Sequence, residues 1–292
     1  MRILLHAGAH PTDEDKLFAS LDANAPLLAK QGIALPRVQS YRRPLRQAMM
    51  QVVKNQPAVT ARQTLMYGMF QDKTNIDAMI LSMPVFFGSP KESIHYDKFF
   101  PDAVKHLERF CQIFPQDQIE MFFSIRNPAT FIPASMVAAQ APHMNDILKG
   151  SNYMALRWSE LFARIHAALP QIKITVWCDE DTPFIWSQLL RNFASVSRNQ
   201  AMANGYAIFA QILTPEGFER FKGYMQKHPD MNPLQRRKVM YAFAQKFARK
   251  DVVEQDLHMT PWDQTTVDQL SEIYDHDVDR IAELPGVTLI EP

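Results

Sequence analysis

The stretch MRILLHAGAHPTDED, residues 1–15, places a short apolar run, a glycine-containing turn and a candidate helix start in immediate succession. The run Ile3-Leu4-Leu5 is typical of a buried parallel strand. In many α/β proteins such a turn holds a phosphate against backbone N–H groups at a helix N-terminus. Here the candidate helix start carries Asp13, Glu14 and Asp15 and no lysine. The stretch therefore indicates an α/β ancestry more clearly than an activity.

Strand-like and helix-like patterns alternate along residues 1–193. After the first strand, apolar runs that predict strands recur at Ala78–Ser82, Ile119–Ile125 and Lys173–Cys178. Helices are expected between them, over residues 12–32, 60–70, 102–114, 153–169 and 182–193. The alternation predicts a three-layer α/β fold, with a central parallel sheet and helices on both faces.

The remainder of the chain has a mainly helical pattern, and a short closing strand is expected at Val287–Ile290. No repeat, low-complexity tract or clear linker interrupts the sequence. We therefore expect a single domain over residues 1–292, with an α/β core at 1–198 and a mainly helical C-terminal part at 199–292.

Composition excludes several classes of protein. Hydrophobic residues make up 47% of the 292 residues, as expected for a globular fold. The formal net charge is zero, so broad binding to nucleic acid or to membrane surfaces is not expected. No apolar stretch approaches the roughly 20 residues that span a bilayer. The two cysteines, Cys111 and Cys178, form no CxxC pair, which favours a reducing, cytoplasmic location.

The residues of the opening turn and of the helix after it show a recognisable spacing. They are His6, Gly8, His10, Thr12, Leu17, Leu21, Asn24, Leu27, Leu28 and Gly32-Ile33-Ala34-Leu35-Pro36. This spacing resembles the 5′-phosphosulfate loop of bacterial sulfotransferases, H-x-G-x-H-K-T-G-T-T, whose donor is 3′-phosphoadenosine 5′-phosphosulfate (PAPS). The resemblance implies a P-loop sulfotransferase-like fold and a site for PAPS or for its product, adenosine 3′,5′-bisphosphate.

A second match lies at residues 122–135, FFSIRNPATFIPAS. The family holds the 3′-phosphate with an arginine at a strand end and with a serine in the following helix, and Arg126 and Ser135 resemble that pair. Their offset of nine is one residue longer than the commonest spacing in the family. A guanidinium fork and a hydroxyl suit a phosphate dianion. The resemblance thus implies Gly8, His10, Thr12, Arg126 and Ser135 as cofactor-binding residues.

Departures from the family pattern affect the chemistry directly. Pro11 stands where the family has the lysine that neutralises the bridging oxygen during transfer. Asp13, Glu14 and Asp15 replace Gly-Thr-Thr, and these carboxylates would repel a phosphosulfate. In place of a stretch with a catalytic glutamate the chain has Ser82-Met-Pro84-Val-Phe86. We therefore expect a protein deficient in standard PAPS-dependent transfer.

Two functions stay open at this stage. One is a non-catalytic relative that binds a nucleotide or another small molecule, or that acts through a surface for a partner, with Thr12 as an N-cap and Asp15 completing a capping box. The other is an active sulfotransferase that moves sulfuryl to a hydroxyl or amine, with His95 as the nearest substitute for the base. No catalytic residue is assigned, and the oligomeric state is left open. No metal site is expected, since His6 and His10 lack a third ligand.

Two charged segments have alternative interpretations. Asp179-Glu-Asp181 has the D-x-D form of some metal–nucleotide sites, but an acidic loop that caps a helix is the simpler interpretation. Residues 236–250 hold six cations on one predicted helix. They either line a groove for an anion or form a solvated face that pairs with acids.

Overall fold

The computed structural model describes residues 1–9, 15–53, 58–71, 76–253 and 262–292. The strands are β1 (Arg2–Gly8), β2 (Ile33–Ala34), β3 (Ala78–Ser82), β4 (Ile94–His95), β5 (Lys98–Phe99), β6 (Gln118–Ile125), β7 (Lys173–Cys178) and β8 (Val287–Ile290). The helices before β7 are α1 (Lys16–Asp22), α2 (Ala25–Lys30), α3 (Val38–Val53), α4 (Ala58–Phe70), α5 (Ala103–Ile113), α6 (Pro128–Ala139), α7 (Asn145–Leu148) and α8 (Trp158–Ala168). Those after it are α9 (Thr182–Ala194), α10 (Ala207–Ile212), α11 (Pro215–Lys227), α12 (Pro233–Phe247), α13 (Lys250–Val253) and α14 (Gln264–Glu283).

Six parallel strands form the central sheet, in the order β2-β3-β1-β6-β7-β8. This confirms the expected α/β fold with a central parallel sheet. In the centre of the sheet Ile3 is paired with Met79 of β3 on one side and with Ile119 of β6 on the other. Strands β4 and β5 form a separate antiparallel ribbon. Because the central strands are covered on both faces, they carry continuous apolar runs rather than alternating ones.

Each face of the sheet has its own hydrophobic core. Successive residues of a strand point to opposite faces, so Leu4 packs with Leu17 and Leu21 of α1 and with Trp186 of α9. The opposite face is larger. Its buried residues include Ile3, Leu5, Leu45, Leu107, Phe131, Ile132, Phe162 and Ile281. The helices that follow β1 and β6, two neighbouring strands, therefore lie on opposite faces, an arrangement that opens a crevice at the carboxyl ends of a sheet.

The prediction of a single helix over residues 12–32 is wrong. The structure has two helices, α1 ending at Asp22 and α2 beginning at Ala25. Pro26 lies in the first turn of α2, where its missing N–H and its ring are tolerated, whereas either would disrupt a continuous helix. Thr12, the expected start, is outside the described residues.

The C-terminal helices divide between two cores. Residues from α10 to α12 surround a small core of Phe209, Leu213, Phe221 and Met240. Helix α14 and strand β8 instead join the main sheet. Asp277 of α14 is buried and accepts hydrogen bonds from the backbone N–H groups of Trp158 (2.6 Å) and Ser159 (3.2 Å) at the start of α8. Within the described segments, no helix has the length and apolarity needed to cross a membrane.

Candidate functional site

Gly8 and Arg126 stand at the carboxyl ends of neighbouring strands. Gly8 closes β1, and the N–H of Ala9 donates to the carbonyl of Ser124 in β6 (3.0 Å). Arg126 follows two residues later. Gly8 has a φ of +131°, a conformation that L side chains rarely adopt. The structure thus places these two expected site residues at the crevice edge. His10 and Thr12, with Pro11, Asp13 and Glu14, lie outside the described residues.

The side chain of Arg126 is mostly buried and is held by its surroundings. Its Nε donates to Thr130 Oγ1 in the first turn of α6 (3.0 Å) and lies 3.9 Å from Asp179 Oδ2, after β7. Its backbone carbonyl accepts a hydrogen bond from the indole N–H of Trp158 (2.9 Å). The guanidinium is therefore fixed in place at the strand end, close to a carboxylate of the same chain.

Ser135, the expected partner of Arg126, occupies a different environment. It lies in the second half of α6, about 10 Å along the helix axis from Pro128, and is completely buried. Within the part of the chain that the structure describes, its hydroxyl has no hydrogen-bond partner. In this conformation Ser135 is enclosed by the core rather than open to a ligand.

A second arginine, Arg42, reaches the same edge of the sheet from α3. Its Nε donates to the carbonyl of Ser82 at the end of β3 (2.8 Å), and its terminal nitrogens bind the carboxylate of Asp15. The hydroxyl of Tyr41 donates to the same carbonyl (3.1 Å) and accepts from the N–H of Ser82 (2.9 Å). These contacts anchor α3 to the end of β3.

The Asp15–Arg42 pair corrects the capping box that the sequence suggested. Asp15 is itself the N-cap residue of α1, in a left-handed conformation, and its side chain makes no capping hydrogen bond. The carboxylate turns to Arg42 instead. Local sequence patterns give Arg42 no role, because its contact with Asp15 joins residues 27 positions apart.

A cavity of about 370 Å³ lies beyond the end of β3. Met49, Met83 and Phe86 provide apolar walls, and the polar lining residues are Arg46, Ser89, Glu92, His106 and Arg109. His106 Nδ1 lies 2.9 Å from the carbonyl of Phe86. Because a carbonyl only accepts, Nδ1 carries the proton, and Nε2 is the acceptor nitrogen of the neutral ring. No motif around His106 indicates a site, and only the packing of α5 brings this histidine to the end of β3.

Neither of the two positions considered for a catalytic base provides one at the cavity. Pro84 lies in the turn after β3. His95 lies in β4, where its ring packs against that of Tyr96, and it does not line the cavity.

The acidic turn after β7 binds groups of this chain. Glu180 accepts hydrogen bonds from the N–H of Asn127 (2.8 Å) and from the hydroxyl of Tyr274 (3.1 Å). Burial, with the charges of Glu180 and Glu291, raises the pKa of Asp181 to about 6. Nowhere in the described ranges do three or more candidate ligands gather into a metal site. The turn thus acts as a bridge between β7, α6 and α14.

Comparison of the chain with protein-family models, with curated proteins and with solved structures gave no significant match.

Proposed function

We propose that this chain is a sulfotransferase-like protein that binds a nucleotide or a small phosphorylated ligand and does not carry out standard PAPS-dependent transfer. Three features support the binding role. The motif around Gly8 resembles the phosphosulfate loop, Arg126 stands at the end of the adjacent strand, and the crevice lies where open α/β sheets bind ligands. A cavity of about 370 Å³ beside it is within the size range of ligand pockets.

The observation that carries the loss of transfer is the pairing of both edge arginines with carboxylates. Arg42 is paired with Asp15, and Arg126 lies near Asp179. A phosphosulfate entering the crevice competes with these carboxylates for the same guanidinium groups. Each like-charge contact at such a partly buried site costs on the order of 1 kcal/mol.

The departures of the sequence from the sulfotransferase pattern also favour a loss of transfer. Sulfuryl transfer develops negative charge on the bridging oxygen, and Pro11 supplies no cation to stabilise it. The acceptor must also lose a proton, and the turn at Pro84 offers no carboxylate or histidine to take it.

One observation favours the alternative of an active sulfotransferase. His106 lines the cavity at the β3 end, and its Nε2 is the acceptor nitrogen of the neutral ring. In that alternative, His106 replaces the missing base, and the acceptor hydroxyl or amine occupies the cavity.

Calorimetric titration with adenosine 3′,5′-bisphosphate tests the binding role, because this nucleotide lacks the sulfuryl group. We expect a Kd in the micromolar range, weakened about tenfold or more in Arg126→Ala. Arg43→Ala is the control for the loss of one positive charge, and it should leave the Kd unchanged. Arg43 is exposed on α3, next to Arg42 in the sequence. Asp179→Asn should tighten binding several-fold by removing a competing charge. Absence of binding at millimolar nucleotide would overturn the nucleotide assignment.

Incubation with labelled PAPS and a panel of hydroxyl and amine acceptors tests the chemistry. We expect no transfer above the buffer control. Transfer that is lost in both Arg126→Ala and His106→Gln would overturn the proposal in favour of the active enzyme.

A further inference from the structure

Helix α9 buries one side against the sheet and turns the other toward the C-terminal helices. Ile185, Trp186 and Leu189 pack on the sheet. Residues at the opposite positions, among them Ser187 and Arg191, line a cleft that α12 closes from the other side. This cleft lies on the outer side of α9, whereas the Gly8–Arg126 crevice lies at the strand ends, so the two are separate.

Four arginines line this cleft. Arg191 comes from α9, Arg198 from the segment after it, and Arg236 and Arg237 from the first turns of α12. No acidic side chain lines the cleft. Among the residues that the structure describes, none of the four arginines forms an ion pair with a carboxylate.

The contacts that these arginines do make leave positive charge uncompensated. Arg191 donates to the hydroxyl of Ser187 (2.6 Å), Arg236 to the carbonyl of Pro229 (3.0 Å) and Arg237 to the carbonyl of Glu291 (3.0 Å). These acceptors are neutral. The Nε of Arg236 is buried and has no partner within the described part of the chain. A buried donor without a partner is costly, and an acceptor in the cleft would remove that cost.

The pKa shifts in the cleft also reflect this uncompensated positive charge. Burial and the nearby charge of Arg236 lower the pKa of Arg191. The charges of Arg236 and Arg191 also favour the ionised form of Tyr206, another residue of the cleft, although burial raises its pKa overall. An anion between these side chains would remove the repulsion.

We propose that this cleft binds a tetrahedral oxyanion, a phosphate or sulfate group, between Arg191, Arg198, Arg236 and Arg237. Guanidinium forks match the geometry of such groups and donate paired hydrogen bonds to them. The free space measures about 40 Å³, where about 10–15 Å³ accommodates one water molecule. The cleft therefore holds an oxyanion rather than a whole nucleotide. The group is either a free ion or the end of a small phosphate ester.

Titration of the full chain with inorganic phosphate, inorganic sulfate and glycerol 3-phosphate tests this site, with chloride at matched ionic strength as the reference. We expect saturable calorimetric binding and a Tm that rises with the oxyanions but not with chloride. Tighter binding of glycerol 3-phosphate than of phosphate identifies an ester as the ligand, and the reverse identifies the free ion. Weak surface binding has a Kd of about 10 mM or more. If neither phosphate nor sulfate binds the wild-type protein or raises its Tm at concentrations below about 10 mM, the site is overturned.

Substitutions locate the binding. Arg191→Gln and Arg236→Gln should weaken the Kd about tenfold or more. Arg220→Gln should leave it unchanged, because Arg220 is an exposed residue of α11 that is paired with Glu216. Without oxyanion, Arg191→Gln should have a Tm equal to or above that of the wild type, because it removes a repulsive charge. Equal effects of all three substitutions would contradict the site. Arg126→Ala distinguishes this cleft from the proposed ligand crevice, and the phosphate binding that Arg191→Gln weakens should persist in it. Phosphate binding that is lost in Arg126→Ala and kept in Arg191→Gln would place the ion in the crevice and overturn the site.

Discussion

Asp181 shows at the scale of one residue how local surroundings set the chemistry of a carboxyl group. It follows β7 in a turn where Glu180 and Glu291 are close enough to disfavour a further negative charge. Burial adds to this effect, and the pKa rises to about 6, compared with an ordinary aspartate value of about 4. The D-x-D pattern of the sequence cannot show this, because Glu291 comes from the far end of the chain.

The raised pKa predicts a specific pH dependence of stability. Between about pH 4 and pH 6 the folded state binds the Asp181 proton more tightly than the unfolded state, so this residue's contribution to stability falls as the pH rises. Asp181→Asn should therefore increase the free energy of unfolding at pH 7 by about 1 kcal/mol, after allowance for solvent screening, and should have little effect at pH 4. Urea unfolding from pH 4 to pH 7 measures this difference.

The control for this prediction is Asp22→Asn at the exposed end of α1. It should give no comparable gain at pH 7. A similar gain in both variants would show that general charge reduction, rather than the surroundings of Asp181, is responsible.

At the scale of elements, the pairing of α11 with α12 depends on a glycine. Gly217 lies in the first turn of α11, and a Cβ built there would collide with the Cβ of Phe247 and lie 2.7 Å from its Cγ. Thr214, the N-cap of α11, accepts from the N–H of Gly217 and donates its own N–H to the carbonyl of Phe247 (2.9 Å). The start of α11 and the end of α12 are therefore held together at backbone distance.

A matched pair of substitutions follows from this geometry. Gly217→Ala should lower the free energy of unfolding by about 1–3 kcal/mol, because Phe247 has to move. Gly223→Ala, in the middle of the same helix, should raise it by about 1 kcal/mol, since nothing lies within 4 Å of the added Cβ and alanine favours a helix. Denaturant titration of both variants compares them directly, and a stabilising Gly217→Ala would contradict this account of the helix pairing.

Several strands of the sheet could be predicted from the sequence with their correct bounds, whereas a break within a helix could not. The apolar runs at Ala78–Ser82 and Lys173–Cys178 are β3 and β7 with the expected bounds. Buried strands are encoded locally, because most residues of a strand that is covered on both faces are apolar. Pro26 separates α1 from α2. The leucine spacing across this proline is typical of one helix, and it therefore led to the prediction of a single helix.

At the scale of the whole molecule, the two cysteines report on the integrity of the fold. Cys111 belongs to α5 and Cys178 ends β7, and the structure leaves both as free thiols. Burial raises the pKa of Cys111 to about 11 and that of Cys178 to about 12. The thiolate is the reactive form, so both groups are protected in the folded protein.

Thiol modification should therefore follow unfolding. At pH 8, Cys111 should react with a disulfide reagent about a hundredfold more slowly than free glutathione, and Cys178 more slowly still. Both should react rapidly in denaturant. Monitoring the release of the reagent's chromophore with time measures both rates, and rapid reaction of both thiols in the folded protein would show that the cores are more open than the structure indicates.

The amino-acid sequence by itself determined the α/β class, the parallel strands and the position of Arg126 after a strand, because these depend on local apolar patterning. Only the tertiary structure decided what Arg126, Arg42 and the α9–α12 arginines face. Arg42 meets Asp15, Ser135 is enclosed in the core, and four arginines gather without a carboxylate between them. The physical reason is that charge pairing and burial depend on distances in space between residues far apart in the chain, and the order of strands and helices sets those distances.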